Sequence, residues 1–163
     1  MASSYILFET PKEIVAKALE AATIAADSGK VKKGANETTR AVNGKTALLV
    51  LISSDVEPAE VVMHLPSLCK ENNIPFLYIP TQKELGVALG LPKTCSAAAI
   101  ENAGNASELV DAIISSISPL CGVNKKEVKE EKKQKEETKE KEQHKEKAHK
   151  HEKKHEEKKK TKK

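Results

Sequence analysis

Residues 30–40 read KVKKGANETTR, which sets Lys30, Lys32, Lys33 and Arg40 around a single carboxylate, Glu37, with Gly34 and Asn36 beside it. Glutamate accepts hydrogen bonds only, arginine donates from a fixed fork, and asparagine does both. Together they match the edges of a guanine. The carboxylate takes the N1–H and N2–H₂ donors, and the guanidinium takes the O6 and N7 acceptors. A carboxylate aimed at phosphate would be repelled. Glu37 inside a basic patch therefore points to a base whose donors are unpaired, which means irregular RNA rather than duplex DNA. Gly34 lets a partner's backbone come close. A helix starting behind it offers unpaired N–H groups and a positive dipole end to phosphate, and the three lysines lead into that end. The plainer alternative is an exposed ion pair between Glu37 and Arg40, three residues apart on a helix and worth less than about 1 kcal/mol.

The elements that must position these residues are legible on both sides. Thr10-Pro11-Lys12-Glu13 has the form of a helix start, with Thr10 as cap, Pro11 at the first position and Glu13 closing a capping box. Apolar residues at helical spacing follow as far as Gly29, and a short helix is expected over 35–43, between Gly34 and Gly44. ALLVLIS (47–53) and PFLYI (75–79) read as strands buried on both faces. The intervening EPAEVVMHLPSLCKENN is helical but holds Pro66, which predicts a kink or a restarted turn. QKELGVALG is a short helix, and SAAAIE reads as an edge strand of small residues. NASELVDAIISSIS is a final amphipathic helix capped by Asn105 or Ser107. Helices alternating with buried strands indicate one α/β layered domain.

The chain of 163 residues carries a formal net charge of +4, but that average joins two different polymers. Residues 125–163 hold 18 Lys and 11 Glu (net +7), leaving 10 basic and 13 acidic side chains (net −3) on residues 1–124. The body is long enough for one real core. The tail has almost nothing apolar, so it reads as a disordered or transiently helical extension whose lysines attract RNA without sequence preference. No apolar run is long enough to span a membrane. Cys69, Cys95 and Cys121 form no C-x-x-C pair, so they read as small buried residues of a cytoplasmic protein rather than zinc ligands or disulfides.

Rival chemistries are weak. Asp55, at the end of a buried strand, stands where open α/β sheets often hold a catalytic or metal-binding carboxylate, which keeps a small enzyme or nucleotide-binding domain as the alternative. A cap for the helix near Pro58, or a brace for the loop, is the simpler role. NGKT (43–46) resembles the end of a phosphate loop, but position 39 is threonine and the order is helix-loop-strand. His151-Glu152-Lys153-Lys154-His155 is a literal H-E-x-x-H. It lies in low-complexity sequence without a cleft and among cations, so no metal site is assigned.

The segments GKVKKGANETTRAV and SSDVEPAEVVMHLPSLCKENNIPFLYIPTQKELGVALGLP carry G-x-N-E, D-x-x-P, H-L-P-x-L-C and K-x-L-G in order. Over residues 4–118 the chain resembles the archaeal L7Ae family of kink-turn RNA-binding proteins. That resemblance implies a three-layer α-β-α sandwich around a mixed sheet. It implies that Asn36, Glu37 and Arg40 meet tandem sheared G·A pairs, beside the RNA-binding residues Lys32, Lys33 and Gly34. Glu57 and Val61 would line the pocket of an extruded nucleotide, and the loop Leu91 to Ser96, including Lys93, Thr94 and Cys95, would pack on it. Where the family has a lysine this chain has Gln82, with Lys83 next to it. The implied partners are kink-turns in large-subunit ribosomal RNA, in guide RNAs of box C/D particles with a Nop5-type scaffold and fibrillarin, and in RNase P, which processes tRNA. The implied protein is non-catalytic, needs no cofactor and is a monomer when free.

Overall fold

The computed structural model describes residues 5–123. The charged tail, its H-E-x-x-H sequence and the boundary drawn at residue 124 lie outside the described residues. In chain order the elements are α1 (Lys12–Ser28), β1 (Lys30–Lys33), α2 (Ala35–Asn43), β2 (Leu49–Ser53), a 3₁₀ turn (Ala59–Val61), α3 (Leu65–Glu71), β3 (Phe76–Ile79), α4 (Gln82–Ala88), β4 (Ala97–Asn102), a second 3₁₀ turn (Gly104–Ala106) and α5 (Ser107–Cys121). The strands form one sheet in the order β1-β4-β2-β3. β2 and β3 are parallel, while β4 runs antiparallel to both β1 and β2, so the sheet is mixed as expected.

Helices α1, α4 and α5 cover one face and α2 and α3 the other, which makes three layers. Side chains alternate accordingly. Leu49, Leu51, Leu77, Ile79, Ala98 and Ile100 join the α1/α4/α5 core, and the residues between them face the opposite layer. All five residues of β2 and all four of β3 are buried, as their unbroken apolar runs require.

β4 corrects an expectation. It is an inner strand between β1 and β2, not an edge. Its small residues serve close packing: Ala97, Ala98 and Ala99 are fully buried, as are Ala18, Ala21, Ala22 and Ala25 of α1. Ala98 faces the layer of α1, while Ala97 and Ala99 face the layer of α2, the helix that packs most closely on this strand. The edge on that side is β1, a strand the sequence did not announce. It is four residues long, three of them lysine, and its pairing with β4 rather than its own pattern defines it.

The helix starts also differ. The Pro11 carbonyl accepts the first bonds of α1, and the Thr10 hydroxyl is spent elsewhere, accepting from the Tyr78 N–H on β3. Neither Asn105 nor Ser107 caps α5 through its side chain; the chain enters α5 through the second 3₁₀ turn, and the Asn105 N–H donates to the Ser28 hydroxyl. Pro66 restarts a helix, standing in the first turn of α3 after the 3₁₀ turn at 59–61.

Tyr5, Phe8, Phe76 and Tyr78, which are all the aromatic residues of the chain, form one cluster. It fastens the N-terminal segment over β3. The Tyr78 hydroxyl donates to the Tyr5 carbonyl at 2.7 Å and accepts from the Leu7 N–H at 3.3 Å. All three cysteines are free and buried, as anticipated, and burial pushes the Cys69 thiol up to about 12. Among the described residues no helix is long and apolar enough to cross a membrane.

Tyr78→Phe removes both bonds and leaves the buried Tyr5 carbonyl unpaired. It is expected to cost ~1–2 kcal/mol, read as a lower urea midpoint at unchanged slope.

Candidate functional site

The site is built where β1 hands over to α2. Gly34 has φ 104 and ψ 155, a conformation that side chains rarely adopt, and a Cβ there would meet nothing within 4 Å. Glycine is thus demanded by the backbone angle, and the ground above it is open. Three bonds fix the turn. The Gly34 N–H donates to the Ala97 carbonyl at 2.8 Å, and its carbonyl accepts from the Thr38 N–H at 2.9 Å and the Thr38 hydroxyl at 2.8 Å. Thr38 is completely buried, a polar side chain inside the protein whose only task visible here is to hold that peptide.

Past the turn, α2 buries Ala35, Thr38, Ala41 and Val42 and turns Asn36 and Arg40 outward, with Glu37 half-buried between them. The Glu37 carboxylate takes a hydrogen bond from Arg40 Nη1 at 3.0 Å and lies 3.6 Å from Lys32 Nζ. The ion pair of the plainer alternative is therefore present, extended by Lys32. Exposed pairs of this kind are worth little, so their partners are exchanged at small cost.

Lys33 points the other way. Its Nζ donates at 2.8 Å to the Leu89 carbonyl at the end of α4, where a cation also meets the negative end of the helix dipole. This bond ties the glycine turn to the chain leading into the loop 91–96. The loop leans on α4 at Gly86, where any Cβ would run into the Lys93 carbonyl. The Cys95 N–H donates to the Gln82 carbonyl at 3.0 Å, and the buried Ser53 hydroxyl donates to the Cys95 carbonyl at 2.9 Å. Lys93 and Thr94 are exposed, and Leu91 and Ser96 partly so. Cys95 is not at the surface: it is 4% exposed and its thiol is directed at the Ala97 carbonyl. Burial raises the thiol's pKa, opposed by backbone hydrogen bonding at Gly34 and Ala97 and by the charge of Lys33. The thiol and the Gly34 N–H share the Ala97 carbonyl as acceptor, so Cys95 lies directly behind the glycine turn.

The third part is the segment after β2. Glu57 is exposed, and Val61, 40% exposed, follows on the 3₁₀ turn. A hydrogen bond of 2.8 Å between Thr39 of α2 and His64 holds this segment beside the helix. Asp55 does not cap the turn near Pro58. Its Oδ1 accepts from the Gln82 N–H at 2.7 Å, and Gln82 Nε2 donates to the Asp55 carbonyl at 3.1 Å, so it braces the loop. Gln82 is thus engaged, and Lys83 is the exposed residue next to it.

The sequence reading did not single out Thr38, Gly86, Ser53 or His64. A glycine inside a helical pattern is a signal of close backbone approach, so Gly86 could have been found. The others are ordinary polar residues whose partners lie far along the chain. Among the described residues no group of His, Cys, Asp and Glu could hold a metal ion.

The fold and site define a small three-layer α/β protein whose sheet edge, one helix start and two loops converge on an exposed polar corner. Residues 16–110 match the ribosomal protein L7Ae/L30e/S12e/Gadd45 family. The large ribosomal subunit protein eL8 of Nitrosopumilus maritimus (strain SCM1) is 49% identical over 118 residues, which are 72% of this chain and 92% of that protein. The protein of the same name from Cenarchaeum symbiosum (strain A) is 50% identical over 122 residues, covering 75% and 96%. Among solved structures, the Giardia lamblia 15.5kD RNA binding protein superposes with a TM-score of 0.65 at 27% identity, over 72% of this chain and 98% of that one. The chain belongs to the L7Ae/L30e/S12e/Gadd45 family.

One ion pair frames the site from behind. Glu101 on β4 accepts from Lys30 at 3.0 Å and from the Thr46 hydroxyl at 2.8 Å. Burial opposes its ionisation, but these bonds and the charges of Lys30 and Lys32 outweigh it and hold the carboxyl below its usual 4.5. The stability it lends is therefore complete above 4.5 and is lost as pH falls through the lower folded value. Glu101→Gln is expected to be the less stable protein at neutral pH and to converge with the parent on acidification, measured as urea midpoints across a pH series.

Proposed function

We propose that this chain is a non-catalytic RNA-binding protein that recognises the bend of a kink-turn. Its exposed polar corner would read sheared G·A pairs, and one extruded nucleotide would lie against Glu57 and Val61. The observation that carries this reading is the presentation of Asn36, Glu37 and Arg40 around the open ground over Gly34, with Lys32 on the adjoining strand. Unpaired guanine edges offer these side chains complementary donors and acceptors. The names borne by the relatives, a ribosomal subunit protein and an RNA-binding protein, support the same class of partner.

On this reading Asn36, Glu37 and Arg40 meet bases, while Lys32, Lys83 and Lys93 meet phosphate. Lys33 acts largely through its bond to Leu89. Leu91, Thr94 and Ser96 present the loop, and Cys95 supports it from inside. Residues 1–124 form the recognising body, and the lysines of 125–163 add salt-dependent attraction without sequence preference. The RNAs would be those of the large ribosomal subunit, of box C/D guide particles alongside a Nop5-type scaffold and fibrillarin, and of RNase P. The protein's role is to hold RNA bent so that other proteins can dock. Asp55 has its carboxylate committed to Gln82, which favours the bracing role over a catalytic one.

The test uses the full chain and a kink-turn RNA at physiological salt. Glu37→Ala and Arg40→Ala are each expected to weaken binding by ~1–3 kcal/mol, while Lys17→Ala, an exposed change on α1 in the opposite layer, leaves it unchanged. Parent-like affinity in Glu37→Ala would leave that residue a surface ion-pair partner and overturn the proposal.

A further inference from the structure

Residues 56–63 form a strap stretched between two polar clamps. At one end Asp55 and Gln82 exchange the two bonds already described. At the other, His64 meets Thr39 at 2.8 Å. Between the clamps the chain has one 3₁₀ turn and no other regular element. Val56 and Val62 point inward, at 4% and 0% exposure, while Val61 and Met63 stand 40% and 49% exposed. Glu57 is exposed on the same strap.

The Thr39 Oγ1 lies 2.8 Å from the Ala35 carbonyl and 2.8 Å from His64 Nε2. Thr39 has one hydroxyl proton, and when the carbonyl takes it the oxygen accepts from His64, whose Nε2 then carries the hydrogen. The bond is directional and joins the helix bearing Asn36, Glu37 and Arg40 to the strap bearing Glu57 and Val61. A strap with so little regular structure keeps its place through its anchors, which are the two clamps, the buried Val56 and Val62, and the Val56 N–H donating to the Tyr5 hydroxyl at 3.3 Å. Its placement matters for a base, because every aromatic residue of the chain is held in the cluster over β3, leaving aliphatic contact from Val61 and Met63 as the apolar surface here.

We infer that His64 is a positioning residue: through Thr39 it sets the strap against α2, so that an extruded base is gripped in register with the bases read by α2. The inference rests on the function proposed above. It assigns His64 no contact with RNA.

Two RNAs separate this role from a general structural one: a kink-turn with its extruded nucleotide intact, and the same RNA made abasic at that nucleotide. His64→Ala and Thr39→Val are each expected to lose roughly three- to tenfold in affinity for the intact RNA, the worth of one hydrogen bond. Against the abasic RNA both are expected to bind as the parent does. The double variant is expected to bind no worse than either single one, because both remove the same bond. His64→Gln, which keeps a donor, is expected to recover most of the loss. Nitrogen-15 NMR of the RNA-free full chain should find the Nε2–H form of His64, and Thr39→Val should abolish that preference. Equal losses on both RNAs, additive losses in the double variant, or a tautomer balance that Thr39→Val leaves unchanged would each overturn the inference. Failure of the parent protein to bind the intact RNA would instead overturn the function on which it rests, and the NMR result would still decide the bond.

Discussion

The peptide at Gly34 is the constraint on which the site depends. Its N–H is taken by Ala97 on β4, and its carbonyl is taken twice by Thr38 on α2. A strand thus ends and a helix begins within one residue, at a backbone angle that glycine tolerates and other residues resist. The sheet edge, the first turn of α2 and the thiol of Cys95 all meet there. Because the turn is held from the protein side, its outer side is left open. The polar side chains around that opening are arranged before any partner arrives, with Glu37 already between Arg40 and Lys32.

The layers behind the turn explain why the corner stays in place. β4 is inner and alanine-rich, paired on both sides and covered by α2 on one face and the α1 layer on the other, so the strand that receives the Gly34 N–H has little freedom to shift. The loop leading into β4 is fastened to α4 by the close approach at Gly86 and by the Cys95–Gln82 bond, and to β2 by Ser53. Lys33 closes the circuit from the glycine turn back to the end of α4. Two loops and a helix start, far apart in sequence, therefore share one frame. A rigid scaffold sets the side chains that such loops carry.

Much of this was legible in the chain because it is written locally. The apolar runs of β2 and β3 announced buried strands, glycines 34 and 44 bounded α2, and Pro66 marked the restart of a helix. The spacing of Asn36, Glu37 and Arg40 alone placed them as neighbours on one helix. What was missed is non-local. β1 exists only through its pairing with β4, and three lysines in four residues give no strand pattern. The run of alanines in β4 looked like an edge because small size alone does not say whether a strand is exposed or tightly covered. Thr10 looked like a helix cap, yet its hydroxyl was claimed by a strand 68 residues away. The clamps on the strap, Thr39 with His64 and Asp55 with Gln82, likewise join residues 25 and 27 positions apart.

The central claim is recognition of unpaired guanine edges at the corner over Gly34. The most direct measurement is a titration of the full chain at physiological salt against a kink-turn RNA and against the same RNA with its G·A pairs changed to Watson–Crick pairs. Tight binding to the first and only salt-sensitive, weak binding to the second is the result this account predicts. Equal binding to both would reduce the corner to a basic surface and contradict it.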